Sequence, residues 1–188
     1  MTKKNEYHNQ IIKTHYTLGC CGIDCGLCPR FYTKGDSKCP GCFGPDFADK
    51  HPPCAIANCC FKKNNLEACG LCNNYPCNRY ENTEKTLKDS FVTHKKMLQN
   101  HDFIKEHGLD VFIKEQKLRI KLLNILLDKF NDNRSKNYYC LASALLKIED
   151  VNEILKYITE NKEIDIAKIK NIINEYANKE NIELKIKK

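Results

Sequence analysis

Cys20-Cys21-Gly22-Ile23-Asp24-Cys25-Gly26-Leu27-Cys28-Pro29, followed after a short loop by Cys39-Pro40-Gly41-Cys42-Phe43-Gly44, is the stretch on which the reading of this chain turns. Its two CxxC pairs, Cys25/Cys28 and Cys39/Cys42, have a spacing that can wrap one tetrahedral ion between two tight turns. In the second pair Pro40 fixes the turn, and Gly41 lets backbone amides approach and hydrogen-bond the thiolates. Further along, Cys54, Cys59, Cys69, Cys72 and Cys77 are arranged as C-x4-C-x9-C-x2-C-x4-C, and four of them suffice for a second tetrahedral site. Cys20 adjoins Cys21 and Cys60 adjoins Cys59; each doublet is expected to send one thiol to a metal while its neighbour is buried as a small apolar residue. Pairing stays open. Cys21 and Cys77 could close a site with Cys25 and Cys28, which leaves Cys39 and Cys42 for the second group.

The expected metal is zinc, as two ions, because the knuckles are CxxC pairs. The alternative is an iron-sulfur cluster: Cys21-x3-Cys25-x2-Cys28 has three-thiolate cluster spacing, and Pro29 follows the last cysteine as in bacterial ferredoxin runs. The same triplet occurs in radical S-adenosylmethionine enzymes, but the chain has no alternating strand and helix units able to form their barrel. A thioredoxin-like dithiol would likewise need a βαβ context that is missing. His51, beside Pro52, Pro53 and Cys54, could replace a thiolate, although an exposed loop histidine is the simpler expectation. The remaining histidines show no HxxxH or HExxH spacing, so a hydrolytic zinc centre has no support. Four thiolates leave zinc no open position for water, and the expected role is structural.

Working outward, the punctuation residues divide the chain of 188 residues in two. All six prolines lie between Pro29 and Pro76, seven of eight glycines between Gly19 and Gly70, and twelve of thirteen cysteines between Cys20 and Cys77. That stretch has too few branched aliphatics for an ordinary core and needs staples. The predicted organisation is a tail over 1–18, a cysteine-rich metal-binding module over 19–80 and a helical domain over 81–188. The fold class is therefore α-rich: an irregular, metal-stapled, zinc-knuckle-like module followed by about five helices. Asn82 or Thr83 is expected to cap the first through about Gln99, with Leu87, Phe91 and Leu98 on one side. Asp110 begins a second through Phe130, with Leu118, Leu122, Ile125 and Leu126 as its apolar stripe. Ser135 precedes a third to about Lys147, Asp150 and Glu153 have capping-box spacing for a fourth, and Asp165 starts a fifth carrying Ile166, Ile169, Ile173 and Tyr176. Ile182-Glu183-Leu184-Lys185-Ile186 alternates with period two and reads as a short strand.

The formal charge of +7 weighs little towards nucleic acid, since each four-thiolate zinc site carries about −2 and two would lower the total to about +3. A nucleic-acid partner is the lower alternative. No apolar run approaches the roughly 20 residues of a membrane span. The stretch from Met1 to Gln10 has positive charge but no signal-like apolar segment, and reduced thiols suit the cytoplasm, which is the expected location.

The run from Cys21 to Pro29, the CPGC knuckle, and Cys69-Gly70-Leu71-Cys72 ahead of Tyr75-Pro76-Cys77 resemble a family of small cysteine-rich bacterial and archaeal proteins, catalogued as a domain of unknown function. The resemblance covers roughly Leu18 to Tyr80 and implies metal binding by those cysteines, with no established activity. The second half is similar to the helical extension of some members around Asn131 to Cys140, where Asn133 stands in for glycine in a left-handed turn. There Arg134, Ser135 and Lys136 are a possible anion-binding patch at a helix N-terminus, against an ordinary Ser-capped turn. Cys140 is expected in the core. No carboxylate pair and no nucleophile with its base can be singled out, which leaves catalysis open. The expected function is a metal-ordered binding or adaptor module for a protein or small-molecule partner, with an iron-sulfur redox protein or enzyme component as the alternative.

Overall fold

A computed structural model describes residues 12–80, 89, 92–161 and 163–186. Among them the chain is helical, with seven α-helices and no strand. Two are short and lie in the cysteine-rich half: α1, Phe47–Lys50, and α2, Ala55–Ala57, which runs on into a wide π turn over Asn58–Lys63. The other five are α3 (Met97–His107), α4 (Leu109–Lys129), α5 (Lys136–Leu145), α6 (Ile148–Glu160) and α7 (Ile166–Lys179).

The long helices form as their periodicity dictates. Phe112, Leu122, Leu123 and Leu126 lie on the buried side of α4, and Ile169, Ile173 and Ala177 on that of α7. Asp165 caps α7 by accepting the Lys168 N–H at 2.7 Å. Apart from Phe112, which packs with Leu18, Ala68 and Ile104, these side chains join Tyr139, Leu146, Val151 and Ile154 in one continuous core, and Leu27 from the cysteine-rich half enters it too. Cys140 is part of this core, and burial pushes its thiol up to about 12.

Several expectations are corrected. The predicted start of the first helix lies outside the described residues, but 92–96 are not helical and α3 begins at Met97, close to where that helix should end. Asp89 and Thr93 explain the stop: Asp89 Oδ1 accepts the His94 N–H at 2.7 Å and Thr93 Oγ1 the Lys95 N–H at 3.2 Å, holding a turn before α3. The fourth helix starts at Ile148, so Asp150 sits inside its first turn and caps nothing. The alternating tail forms no strand: Ile182, Leu184 and Ile186 rest on the helical core, and the Lys95 ammonium takes Glu183 O at 2.9 Å instead of a neighbouring strand doing so.

The chain ahead of the cysteines is no loose tail where it is described. Thr14 and His15 donate their amides to the two carboxylate oxygens of Glu67 at 3.1 and 3.0 Å, Lys13 donates its amide to Phe43 O, and Leu18 is fully buried. These contacts tie residues 13–18 to the cysteine-rich half.

Candidate metal centre

A cavity of about 660 Å³ opens in the cysteine-rich half, and seven cysteines line it: Cys20, Cys21, Cys25, Cys28, Cys39, Cys42 and Cys54. Local backbone bonds put them there. Cys25–Leu27 forms a single 3-10 turn closed by Cys28 N–H to Cys25 O at 3.2 Å, while the Gly26 amide reaches Thr17 O at 2.8 Å. Cys39 is drawn over this loop by its amide bond to Arg30 O at 2.9 Å, and Cys42 is held by Tyr16 O at 2.9 Å. Gly41 between them has φ +85°, and a Cβ there would fall 2.2 Å from Tyr16 O, so only glycine permits that approach.

The loop is also clamped from the helices. Asp24, one residue before Cys25, is buried; its Oδ2 accepts from Asn100 Nδ2 at 2.9 Å and its Oδ1 from Gln116 Nε2 at 2.8 Å. Gly22 makes a second junction, with φ +88° and a Cβ position only 2.3 Å from Met97 O at the start of α3.

From the cavity a row of sulfurs runs inward. Cys42 Sγ lies 3.6 Å from Cys20 Sγ, Cys20 neighbours Cys60, and Cys60 neighbours Cys69. The row ends on Tyr80 and His101. The Gly70 amide donates to His101 Nδ1 at 3.1 Å, which leaves Nε2 to carry the ring proton; that N–H faces Tyr80 Oη at 3.1 Å, so the Tyr80 hydroxyl donates onward to Cys69. Hydrogen bonding from Cys60, with that from Tyr80, holds Cys69 below the usual thiol range despite burial. Most of the row goes the other way. Donation to Cys20, then burial, pushes Cys42 far up; Cys20 is lowered by Cys42 but raised by donation to Cys60 and by burial, to about 12. Burial likewise pushes Cys21 up to about 12 and raises Cys25 and Cys28.

Lys13 is the counterweight. Only 1 % exposed, it donates its ammonium to Leu18 O, and its charge favours the thiolate form of Cys20, Cys25, Cys42 and Cys60. A buried cation inside a nest of thiols suits a site meant to become anionic, as a four-thiolate metal site is. Seven sulfur donors, with only Asp36 and Asp49 as carboxylates in the lining, suit zinc or iron-sulfur rather than calcium or magnesium.

The expected ligands separate in space. Cys21, Cys25, Cys28, Cys39 and Cys42 share the cavity, and Cys54 joins them there instead of the second set. Cys59 stands apart beside Asn64, whose amide donates to Cys59 O at 2.6 Å. Cys69, Cys72 and Cys77 gather around Tyr75, Tyr80 and Met97. Among the described residues no three His, Cys, Asp or Glu side chains stand close enough to share one ion as placed. His51 is exposed, stacked on Phe47 at 4.7 Å at the cavity rim.

The patch at Arg134, Ser135 and Lys136 already has its anion. Asn133 does take the left-handed conformation, with φ +63°, and Asp132 Oδ1 accepts the amides of Arg134 and Ser135 at 3.0 and 2.8 Å. Its Oδ2 accepts from Lys170 Nζ at 2.8 Å, and these bonds, the lysine first, hold the carboxyl well below its usual range.

The sequence marked Cys20 and Cys60 only as buried neighbours of ligand cysteines, and gave no sign of Lys13 or of the His101–Tyr80 pair. The doublets were a usable signal, since the neighbour of a cavity cysteine has to point somewhere. A lysine among thirty-one basic residues carries none. Comparison with family models, with curated proteins and with solved structures gave no match. The class the site defines is therefore chemical: a helical protein with a cysteine-lined cavity and a buried lysine whose charge acts on several of those cysteines.

Proposed function

We propose that this chain is a metal protein that holds its metal through the cysteine thiolates of the cavity and presents the loaded module to a partner. The observation that carries this reading is the convergence of seven cysteines on one cavity of about 660 Å³, three of them, Cys20, Cys25 and Cys42, within the field of the buried Lys13 ammonium. Cys21, Cys25 and Cys28 would supply three ligands, and Cys39, Cys42 or Cys54 the fourth.

The breadth of the cavity favours an iron-sulfur cluster over a single zinc ion. Zinc–sulfur bonds of about 2.3 Å put all four sulfurs within about 3.8 Å of one another, whereas the bonded thiol pairs among the described residues, Cys20–Cys42 at 3.6 Å, Cys20–Cys60 and Cys60–Cys69, join no two of Cys21, Cys25, Cys28, Cys39 and Cys54. A cluster would supply one-electron chemistry at a position the protein screens with buried thiols and Lys13. Zinc remains the second reading because Gly41 shapes the CPGC turn as a knuckle requires, and it makes the module a purely structural adaptor.

Protein purified under nitrogen settles the choice. Iron with acid-labile sulfide and broad visible absorbance supports the cluster; stoichiometric zinc and no colour supports the adaptor; no metal at all overturns both. Cys25→Ser and Cys28→Ser should abolish the bound metal, whereas Cys59→Ser should retain it.

A further inference from the structure

The row of sulfurs behind the cavity has a direction. Cys42 donates to Cys20, Cys20 to Cys60 and Cys60 to Cys69; from the other side the Tyr80 hydroxyl, held by His101 Nε2 at 3.1 Å, also donates to Cys69. Both chains of hydrogen bonds therefore end on the Cys69 sulfur. Neither Cys60 nor Cys69 lines the cavity. Their surroundings differ. Cys69 is partly exposed, whereas Cys60 is buried on the wide turn Asn58–Lys63, its Sγ 3.2 Å from Leu66 O and its carbonyl taken by the Leu66 amide at 3.0 Å.

A sulfur that accepts two hydrogen bonds and reaches solvent is the nucleophilic member of a thiol pair, and a buried thiol in contact with it is placed to react second. We infer that Cys69 is an oxidation site for hydrogen peroxide and that Cys60 resolves it. In the first step the Cys69 sulfur attacks one peroxide oxygen: the S–O bond forms, the O–O bond breaks, and the departing hydroxide becomes water with the proton that Cys69 gives up. In the second the Cys60 sulfur attacks Cys69: the S–S bond forms, the S–O bond breaks, and the sulfenic oxygen leaves with the Cys60 proton as a second water. Two electrons pass from the sulfurs to the peroxide, and two thiols become one disulfide. Tyr80 is a positioning residue. Its hydroxyl favours the electron-rich form of Cys69, and His101, its ring fixed by the Gly70 amide on Nδ1 at 3.1 Å, sets where that hydroxyl points. Neither step uses the cavity or a metal in it.

The test treats the full chain as purified with one equivalent of hydrogen peroxide, alkylates the remaining thiols under denaturing conditions, and digests with trypsin. Cleavage after Lys62 and Lys63 separates the two cysteines unless they are bridged, so mass spectrometry reads the link directly in the parent chain. A Cys60–Cys69 disulfide with unchanged metal content is expected. Cys60→Ser should stop the reaction at the sulfenic acid, trapped as a dimedone adduct on Cys69. Tyr80→Phe should slow formation of that adduct about tenfold, and Cys59→Ser should leave the bridge intact. A metal-free chain that forms the bridge would refute the cavity reading and support this one. A bridge from Cys69 to Cys72, or from Cys20 to Cys42, in place of the expected one would overturn it, as would release of metal by peroxide with Cys60 and Cys69 both recovered alkylated.

Discussion

The two halves of this molecule bury different atoms. In the helical half the interior is Leu122, Leu123, Leu126, Ile154, Ile169 and Ile173, a hydrocarbon core whose stability comes from area removed from water. In the cysteine-rich half it is Cys20, Cys42 and Cys60 with Phe43, Phe61 and Ala57, and a lysine ammonium close by. A thiol is a small hydrophobe, so the second interior has fewer carbon atoms to bury and keeps groups that can bind. The contrast separates a region that folds by packing from one whose packing leaves chemistry unused.

The largest test of that contrast is chelation. Incubating the metal-loaded protein with a strong chelator and reductant should abolish amide protection across 19–80 while α4 to α7 stay protected in hydrogen exchange. Simultaneous loss in both halves would break the comparison. Next comes Leu126→Ala, which should cost about 2–5 kcal/mol in a urea melt and leave the metal content of the folded fraction unchanged.

Acid should act from the other side. Burial lowers His101 from 6.5 to about 4. Above 6.5 the folded and unfolded chains both hold it neutral, and the ring adds no pH slope. As pH falls from 6.5 to about 4 the unfolded chain binds the proton first, so stability drops by roughly 3 kcal/mol in all and then levels off. Urea titrations at stepped pH read this slope, and His101→Asn should flatten it. Asp24→Ala, which leaves the Asn100 and Gln116 amides without their acceptor, should cost about 1–3 kcal/mol and loosen both halves. Last, Asp165→Ala should cost about 1 kcal/mol and fray only the first turn of α7, seen as faster exchange of the Lys168 amide.

The helical half was legible where burial follows periodicity. Leu122, Leu126, Ile169 and Ile173 repeat at helical spacing, and Asp165 announces its cap. Helix α3 was hidden because its buried face is half polar: Asn100 bonds Gly22 O and Asp24, and His101 bonds Gly70. Gln116 and Arg119 interrupt the stripe of α4 for the same reason, since they serve Asp24 and the end of α5. Amphipathic patterning cannot show a face that is buried by hydrogen bonds. Among the cysteines, order and spacing named most of the cavity lining. They could not show that Cys54 leaves its neighbours for the first group, because that depends on where α2 is packed.

Asp24 has a further consequence for the order of events during synthesis. Its two amide partners lie 76 and 92 residues downstream, so the loop bearing Cys25 and Cys28 leaves the ribosome well before Asn100 and Gln116 exist. Until α3 and α4 arrive, the nascent thiols have their sequence spacing but not their clamp. On the proposed metal-binding reading, delivery to the finished chain would meet a more rigid acceptor than delivery to the growing one, and loading measured during translation should differ in rate from loading measured after release.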